Sequence, residues 1–482
     1  MTIIDKNENK SFHPSIDIKD NVLVLGFRIK KEGDKETDLF VVKTTETIQM
    51  IEDPHFEHEG QTYSIDKKKR LLSRLSQKWG ADNLNAFTEL LKDPLYKSLS
   101  PYSVYEKVKQ KLKRHVELEN EADYTLLSAW IIGTYFFPSF GAYPYIHIKA
   151  PKGSGKSQCL NFLCQTAFNA VKARASLPAL RDTVDALRGT YLMDQADALH
   201  RPHMEDFLDV LTDSYKREGG GVRKMVQTKN EWKLEEFDAY SPKGFASIHQ
   251  LPEDLRDRCI VVPLIRSGKN YAPVDSEDTS WKEIRGDLYV TLINHFQDVD
   301  QGYLIKRVGY RNSNEIYGRR LELWLPIEVV LSEFRVPEEE IELAKQRFLS
   351  RYEFAIYQTT DIEIAVVETI LSLMKGKNET TLRPKEIATQ IDPDLFDPDD
   401  KFAFMSQKQK STMVGRSITK FNLSSQKLPR DSQGEKYLFT REHVEKVHQG
   451  YFESKKEDTQ TYTEEKIPET KGLLDDLASV SQ

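Results

Sequence analysis

The segment YPYIHIKAPKGSGKSQCLNFL, residues 143–163, gathers the side chains that phosphate chemistry requires. An apolar strand ends at Ala150, a glycine-rich turn follows, and an apolar helix begins at Lys156. Gly153 and Gly155 let the backbone wrap with its N–H groups pointing inward, and the helix start adds the positive end of its dipole. Lys156 is placed to reach the β- and γ-phosphates of ATP, and Ser157 to hold Mg²⁺. The pattern is a phosphate loop, with Ala150 where the strict form has glycine. Its candidate nucleotide contacts are Ala150, Pro151, Lys152, Gly153, Ser154, Gly155, Lys156, Ser157 and Gln158.

A phosphate loop needs a second, acidic strand for its metal, and GTYLMDQADAL supplies an apolar strand ending at Asp194. Gln195 follows, where hydrolytic enzymes of this architecture usually carry a glutamate that activates the attacking water. Glutamine cannot take up a proton as a carboxylate does, but it can orient water by hydrogen bonding, and Asp197 is the alternative base. The plainer alternative is that both acids simply end a surface strand. Further on, KGFASIHQLPEDLRDRCIVVPLIR reads as a strand with a polar tip, a short helix and another strand. Ser247 or His249 would project from that tip and sense the nucleotide, although a satisfied core or loop histidine is the commoner role. Arg258 sits where ring ATPases place an arginine that completes a neighbouring subunit's site; a salt bridge to Asp254 or Asp257 in its own chain is the alternative.

These residues need a parallel sheet to hold them, and from Leu126 to about Arg266 the pattern alternates strand, loop and helix as such a sheet demands. Before it, residues 14–65 alternate apolar and polar positions, predicting a small antiparallel sheet, and residues 67–119 predict a basic helical bundle. Helical periodicity returns over 281–357. Residues 362–448 predict three helical segments followed by a strand–turn–strand, the pattern of a winged helix-turn-helix. The tail from Glu453 is polar and acidic, the composition of a disordered segment.

At 482 residues, 39% apolar and 30% charged, the chain is a globular protein of about three domains. Its net charge of −7 does not exclude nucleic acid, because binding depends on a local positive stripe. Cys159, Cys164 and Cys259 form neither a CxxC pair nor an even framework, so neither a disulfide scaffold nor a structural zinc is expected. The polar start has no signal-peptide pattern, and the expected location is the cytoplasm. Residues 124–146 carry no charge, but Pro138 and Pro144 cut them into a buried helix and a short aromatic strand, so no membrane span is expected.

Taken together, APKGSGKSQCL, GTYLMDQADAL and DLRDRCIVVPL resemble the three signature segments of the MCM-like AAA+ helicases. The arrangement is especially similar to the replicative helicases of cassette-type mobile elements such as the staphylococcal cassette chromosome. The resemblance spans roughly residues 126–357. It implies an α/β fold: an AAA+ P-loop ATPase core (121–270) with a helical lid (271–360), an N-terminal α+β domain (1–120), a C-terminal winged-helix domain (361–450) and an acidic tail (451–482). The implied activity is that of a homohexameric ring, hydrolysing ATP with Mg²⁺ at subunit interfaces and translocating 3′ to 5′ on single-stranded DNA, alongside other replication proteins. On this resemblance Lys156 and Ser157 bind phosphate and magnesium, Asp194 supports the metal, and His249 falls at sensor 1. Arg258 is the finger reaching the neighbour, and Arg319 or Arg320 in YGRRLELWLP supplies sensor 2. The family's catalytic glutamate is missing, which bears on the hydrolysis rate.

Between the acidic strand and the sensor strand, GGGVRKMVQTKNEWKLEEF alternates on both sides of Lys229–Asn230 and predicts a β-hairpin with a polar tip. In the resembled family a lysine near this tip grips DNA in the central channel. Lys229 matches, with Arg223, Lys224 and Lys233 nearby as candidate DNA contacts. Movement along a strand without regard to sequence requires contacts to phosphate, whose charge repeats at every step. In the C-terminal part, the KQKSTMVGRSITKF helix and a turn containing Arg430 have the charge to touch duplex DNA, although winged helices also bind proteins. Lys67, Lys68, Lys69 and Arg70 could form a receiving collar or a solvated helix face. A function of a different class, an ATP-switched initiator or assembly protein with slow hydrolysis, is supported by Gln195.

Overall fold

The computed structural model describes residues 11–30, 36–66, 99–151, 153–173, 176, 180, 184–201, 203–219, 221–227, 232–264, 271–311, 316–356, 361–392, 406–421, 423–432 and 434–448. The chain divides into two compact units, Met1–Ile356 and Tyr357–Gln482. The expected borders at 120 and 270 both fall inside the first unit.

The first unit opens with strands β1 (Ser11–Phe12), β2 (Ile16–Lys19), β3 (Val22–Lys30), β4 (Glu36–Lys43), β5 (Ile48–Ile51), β6 (His55–His58) and β7 (Gln61–Ile65). They form two sheets, antiparallel β2-β3-β4-β5 and a smaller β1-β7-β6 in which β1 and β7 run parallel. The single sheet expected here is therefore split. Both faces of β3 are apolar, and the alternation sorts them. Leu23, Leu25 and Phe27 enter the main core of the unit, whereas Val22 and Val24 pack with Phe12, Phe56 and Tyr63 in a separate cluster. The inner face thus ties these strands to the rest of the first unit.

Among the described residues two helices follow, Pro101–His115 and Glu121–Phe136. The second is fixed by a capping box between Asn120 and Asp123 and is buried nearly all round. From Tyr124 onward its uncharged sequence is that of a core helix. The 3₁₀ turn Phe137–Ser139 ends it, as the proline predicts, and no helix among the described residues is long and apolar enough to cross a membrane.

Strands β8 (Tyr145–Lys149), β9 (Val171–Ala173), β10 (Tyr191–Met193), β11 (Gly221–Gln227), β12 (Trp232–Asp238), β13 (Lys243–Ser247) and β14 (Cys259–Pro263) come next. Five of them make one parallel sheet in the order β14-β8-β13-β10-β9. Strands β11 and β12 stand outside it as an antiparallel hairpin. The helix Lys156–Thr166 crosses from β8 to β9, and Glu205–Asp213 and the short Glu253–Arg256 lie in later connections. Helices Ser280–Arg311, Gly318–Glu333 and Glu338–Ile356 complete the unit, and Trp281 and Trp324 from these helices, with Phe334 just after the second, share the main core with Trp130 and Phe162.

The second unit has its own core, built on Val366, Ile370, Ile387, Val414, Ile418 and Phe439. Its elements run helix Asp361–Leu373, β15 (Glu379–Leu382), helix Pro384–Gln390, helix Gln407–Lys420, β16 (Gln426–Asp431), β17 (Gly434–Thr440) and helix Arg441–His448. The three strands form an antiparallel sheet, β15-β17-β16. The strand β15 and the closing helix add to the three helices and hairpin read from the sequence.

Candidate nucleotide site

Strand β8 is interior to the parallel sheet, so its C-terminal end opens beside the ends of β13 and β14, the edge at which such sheets bind ligands. The Ala150 N–H donates to the Ser247 carbonyl at 3.2 Å and fastens the loop to β13. Gly153 and Gly155 have φ of +82° and +84°, a conformation costing other L-residues about 1–2 kcal/mol. A side chain at either would still meet nothing within 4 Å, so the glycines answer a backbone need and leave the loop's outer surface open. Gly155 starts the helix Lys156–Thr166 without a side-chain cap, which leaves the first N–H groups and the positive dipole end for an anion. The Ser154 hydroxyl is buried and has no hydrogen-bond partner among the described residues. Lys156 folds over the loop, donating to the carbonyls of Ala150 and Pro151 at 2.6 and 2.7 Å. Lys152 lies outside the described residues.

Ser157 and Asp194, far apart in sequence, meet here: the Ser157 hydroxyl donates to Asp194 Oδ2 at 3.2 Å. A hydroxyl and a carboxylate are the hard oxygen ligands that Mg²⁺ prefers, and with the unpartnered Ser154 hydroxyl and the uncapped helix start they fit a magnesium–nucleotide pair. A third group was not foreseen. Lys172 on β9 places Nζ 3.2 Å from the same Asp194 oxygen and 3.4 Å from Asn161 Oδ1. The sequence held only a lysine in a short polar stretch, and its position emerges once β9 pairs in parallel with β10, Lys172 opposite Leu192.

Gln195 is exposed and left-handed, with φ of 58° and ψ of 46°. For a residue that is neither glycine nor asparagine this is a strained backbone, and it turns the chain into the 3₁₀ segment Ala196–His200. The turn brings Asp197 under the end of β13, where its carboxylate accepts the N–H groups of Ile248 (3.0 and 3.2 Å) and His249 (2.9 Å). Burial raises the Asp197 pKa, but the His249 and Ile248 donors outweigh it and hold the carboxyl below its ordinary range. Asp197 thereby fastens the backbone at the end of β13.

Ser247 and His249, the two strand-tip candidates, have different surroundings. Ser247 is fully buried, its hydroxyl 2.7 Å from His147 Nε2 and donating to the His249 carbonyl at 2.6 Å. Burial, with Lys149 and Arg256 nearby, pushes the His147 pKa down to about 3, so the ring is neutral. His249 itself is exposed at the strand tip.

The Gln158 side chain donates to the carbonyls of His115 and Ala272 at 2.7 and 3.0 Å, so it braces the helix. Arg258 is held in its own chain, by two backbone carbonyls and, at longer range, by the Asp257 carboxylate considered above. Its Nε donates to Thr212 O at 2.7 Å and its Nη1 to Asp254 O, while Asp257 lies 4.0 Å off. Arg319 reaches Asp257 at 3.3 Å and Glu322 at 2.9 Å, and Arg320 beside it is half-buried. The hairpin β11–β12 forms as predicted, with Arg223 on β11 paired to Glu236 and Lys233 on β12 paired to Val226 in register. Lys224 stands opposite Glu235. Lys229 and the segment Lys67–Arg70 lie outside the described residues.

No family model matches the chain, and no curated protein matches it. Among solved structures, it is similar to a full-length MCM homolog from Methanopyrus kandleri, with a TM-score of 0.33 at 12% identity over 69% of this chain and 78% of that one. It is also similar to the SCCmec type IV Cch helicase, with a TM-score of 0.32 at 9% identity over 88% and 94% of the two chains. The C-terminal region of NrS-1 follows with a TM-score of 0.28 at 12% identity, over 86% and 96%.

Proposed function

We propose that this chain is an AAA+ ATPase that hydrolyses ATP with Mg²⁺ and uses the energy to move along DNA as a ring-forming helicase. The observation that carries the reading is the 3.2 Å approach of Ser157 to Asp194 beside an uncapped glycine loop at the open edge of a parallel sheet. Lys156 would leave the Ala150 and Pro151 carbonyls to neutralise the outer phosphates, and Ser157 and Asp194 would hold Mg²⁺, which offsets charge on the phosphoryl oxygens when bound. Gln195, exposed beside Asp194, orients the attacking water through its amide. Asp197 keeps the His249 backbone at the tip of β13, so that the imidazole faces the outer phosphate. Arg258 and Arg319 supply cations to a neighbouring chain's site.

Three further features support a DNA motor. The β11–β12 hairpin, inserted between β10 and β13, gives an arm whose tip residue Lys229 would grip successive phosphates. Leu304, Ile305 and Val308 are 54%, 71% and 58% exposed on one stretch of the helix Ser280–Arg311, an apolar ridge suited to a second copy of the chain. The helix, strand and hairpin order of the second unit supports a winged helix. Six subunits, 3′ to 5′ polarity and replication of a mobile element extend the reading from the resemblance. The test is ATP hydrolysis and strand displacement by Lys156→Ala and Lys229→Ala. The first should abolish both, and the second should lose unwinding while keeping hydrolysis. A Lys229→Ala chain that unwinds as wild type does would overturn the motor.

The second reading, an ATP-switched initiator that hydrolyses slowly, is favoured by one observation: Asp197 is committed to Ile248 and His249, and Gln195 offers no carboxylate.

A further inference from the structure

A groove of about 930 Å³ crosses the second unit between the helix Gln407–Lys420 and the β16–β17 hairpin. Helix positions 408, 411, 412, 415, 416 and 419 line it, the spacing of a single helical face. Ser411, Thr412, Gly415 and Thr419 keep that face shallow, and Lys408 and Arg416 flank them. Lys385 and Arg430 add cations from the other walls. These four basic side chains are exposed, and none forms a salt bridge with a described residue. The other two cations of the lining behave differently. Arg383 makes a bidentate pair with Asp431 at 2.8 and 2.6 Å, and Lys427 pairs with Glu435 at 2.9 Å. The groove is thus braced by salt-bridged charges and faced by cations that make no salt bridge among the described residues, Arg430 lying near Glu435.

We propose that this groove binds duplex DNA, with the helix Gln407–Lys420 entering the major groove and Lys385, Lys408, Arg416 and Arg430 meeting phosphates. The inference is independent of the ATPase reading, which concerns the first unit. A B-form major groove, about 12 Å wide, admits an α-helix, and a face of serine, threonine and glycine lets that helix approach closely. Single strands are held on exposed aromatic rings. The one aromatic residue in this lining, Tyr437, is 5% exposed, and its hydroxyl donates to Glu435 at 2.9 Å, so it offers no stacking surface. A protein partner would need large apolar anchors, and the lining offers Pro384 beside polar and charged groups.

The test is fluorescence anisotropy of a labelled blunt DNA duplex, titrated with the full chain without nucleotide over a range of salt. Replacing Lys408 and Arg416 together by alanine should weaken duplex binding at least tenfold. It should also make the slope of log affinity against log salt shallower by about two, given about 0.9 per phosphate contact. The same chain should lose far less affinity for a single strand of equal length. Because both side chains are exposed, folding should be unaffected, and the Lys408→Arg/Arg416→Lys chain should retain binding. Unchanged duplex affinity would overturn the proposal. So would an equal loss on single strands, or displacement of the duplex by polyglutamate, which would mark an acidic-peptide site. Lys156→Ala must bind the duplex as wild type does; loss there would place the contact in the first unit and end this proposal. Absent ATP hydrolysis with duplex binding intact would end the motor reading alone.

Discussion

Arg258 and Arg319 lie on one aromatic ring: their guanidinium carbons stand 5.3 and 4.4 Å from the centroid of Tyr215. Like charges are held together because the ring face attracts both and carboxylates surround them. Glu322 accepts from Arg319 at 2.9 Å, from the Tyr215 hydroxyl at 2.9 Å and from Lys216 at 2.5 Å, and Asp257 lies 3.3 Å from Arg319. The end of the short helix before β14 and the first turn of Gly318–Glu333 are therefore joined through one tyrosine. If the pair serves a neighbouring chain, mixing Arg258→Ala with Lys156→Ala chains should recover ATP turnover that neither shows alone. Each mixed interface can then combine an intact loop with an intact arginine. A mixture as inactive as its components would leave Arg258 an anchor of its own chain.

Gln195 and Asp197, two residues apart, are held differently: Asp197 accepts the Ile248 and His249 N–H groups, and Gln195 stands exposed with an amide. Replacing Gln195 by Glu should raise turnover several-fold at saturating ATP, with little change in KM, because the added carboxylate acts on the attacking water and not on binding. Unchanged turnover would mean that another carboxylate already serves as base. Asp197→Asn should lower kcat without abolishing nucleotide binding, since it weakens the hold on Ile248 and His249 but leaves the loop and Asp194 intact.

The strand, glycine turn and helix of the phosphate loop were legible because local pattern alone determines them, and the same holds for the strand ending at Asp194 and for the hairpin around Lys229–Asn230. Periodicity shows which face of an element is apolar, but not what will lie against it. Gln158 follows the loop in sequence, but adjacency does not show that its side chain meets carbonyls at His115 and Ala272. The split of the N-terminal strands follows from β3 having two apolar faces, each claimed by a different core. Lys172 was invisible for a related reason: its importance depends on the pairing of two short strands and on Asn161 reaching over from the crossing helix.

Lys172 competes for the carboxylate that Mg²⁺ would use. Its ammonium and the Ser157 hydroxyl both contact Asp194 Oδ2, so metal binding must displace or share that charge. Lys172→Met should therefore lower the Mg²⁺ concentration needed for half-maximal binding of a fluorescent ATP analogue. A tenfold shift would correspond to about 1.4 kcal/mol. Binding without Mg²⁺ should move the other way or not at all, because the variant removes a positive charge from beside the site. A higher Mg²⁺ requirement would show instead that Lys172 helps to position Asp194.

Lys243, the first residue of β13, is fully buried, donating to the carbonyls of Ala239 and Ser241 at 2.8 and 3.1 Å, with Nζ 5.0 Å from the Tyr145 ring centroid. Burial pushes its pKa down to about 7 from 10.5, with Asp238 opposing the shift. In the unfolded chain the lysine keeps its proton to its ordinary pKa, so between these two values the unfolded state binds one proton more than the folded state. The contribution of Lys243 to the stability of the first unit should then rise with pH across that window, by about 1.4 kcal/mol per pH unit. Below pH 7 both states are protonated, and the cost of burying the ammonium is fully present. The five tryptophans all precede Tyr357, so their fluorescence follows the first unit alone during denaturant unfolding at pH 7.5, 8.5 and 9.5. Wild type should gain stability along this series relative to Lys243→Met, because the methionine has no proton to lose while every other titrating group is common to both chains. Equal slopes in the two chains would show that Lys243 remains protonated in the fold, held by its carbonyls and by Asp238.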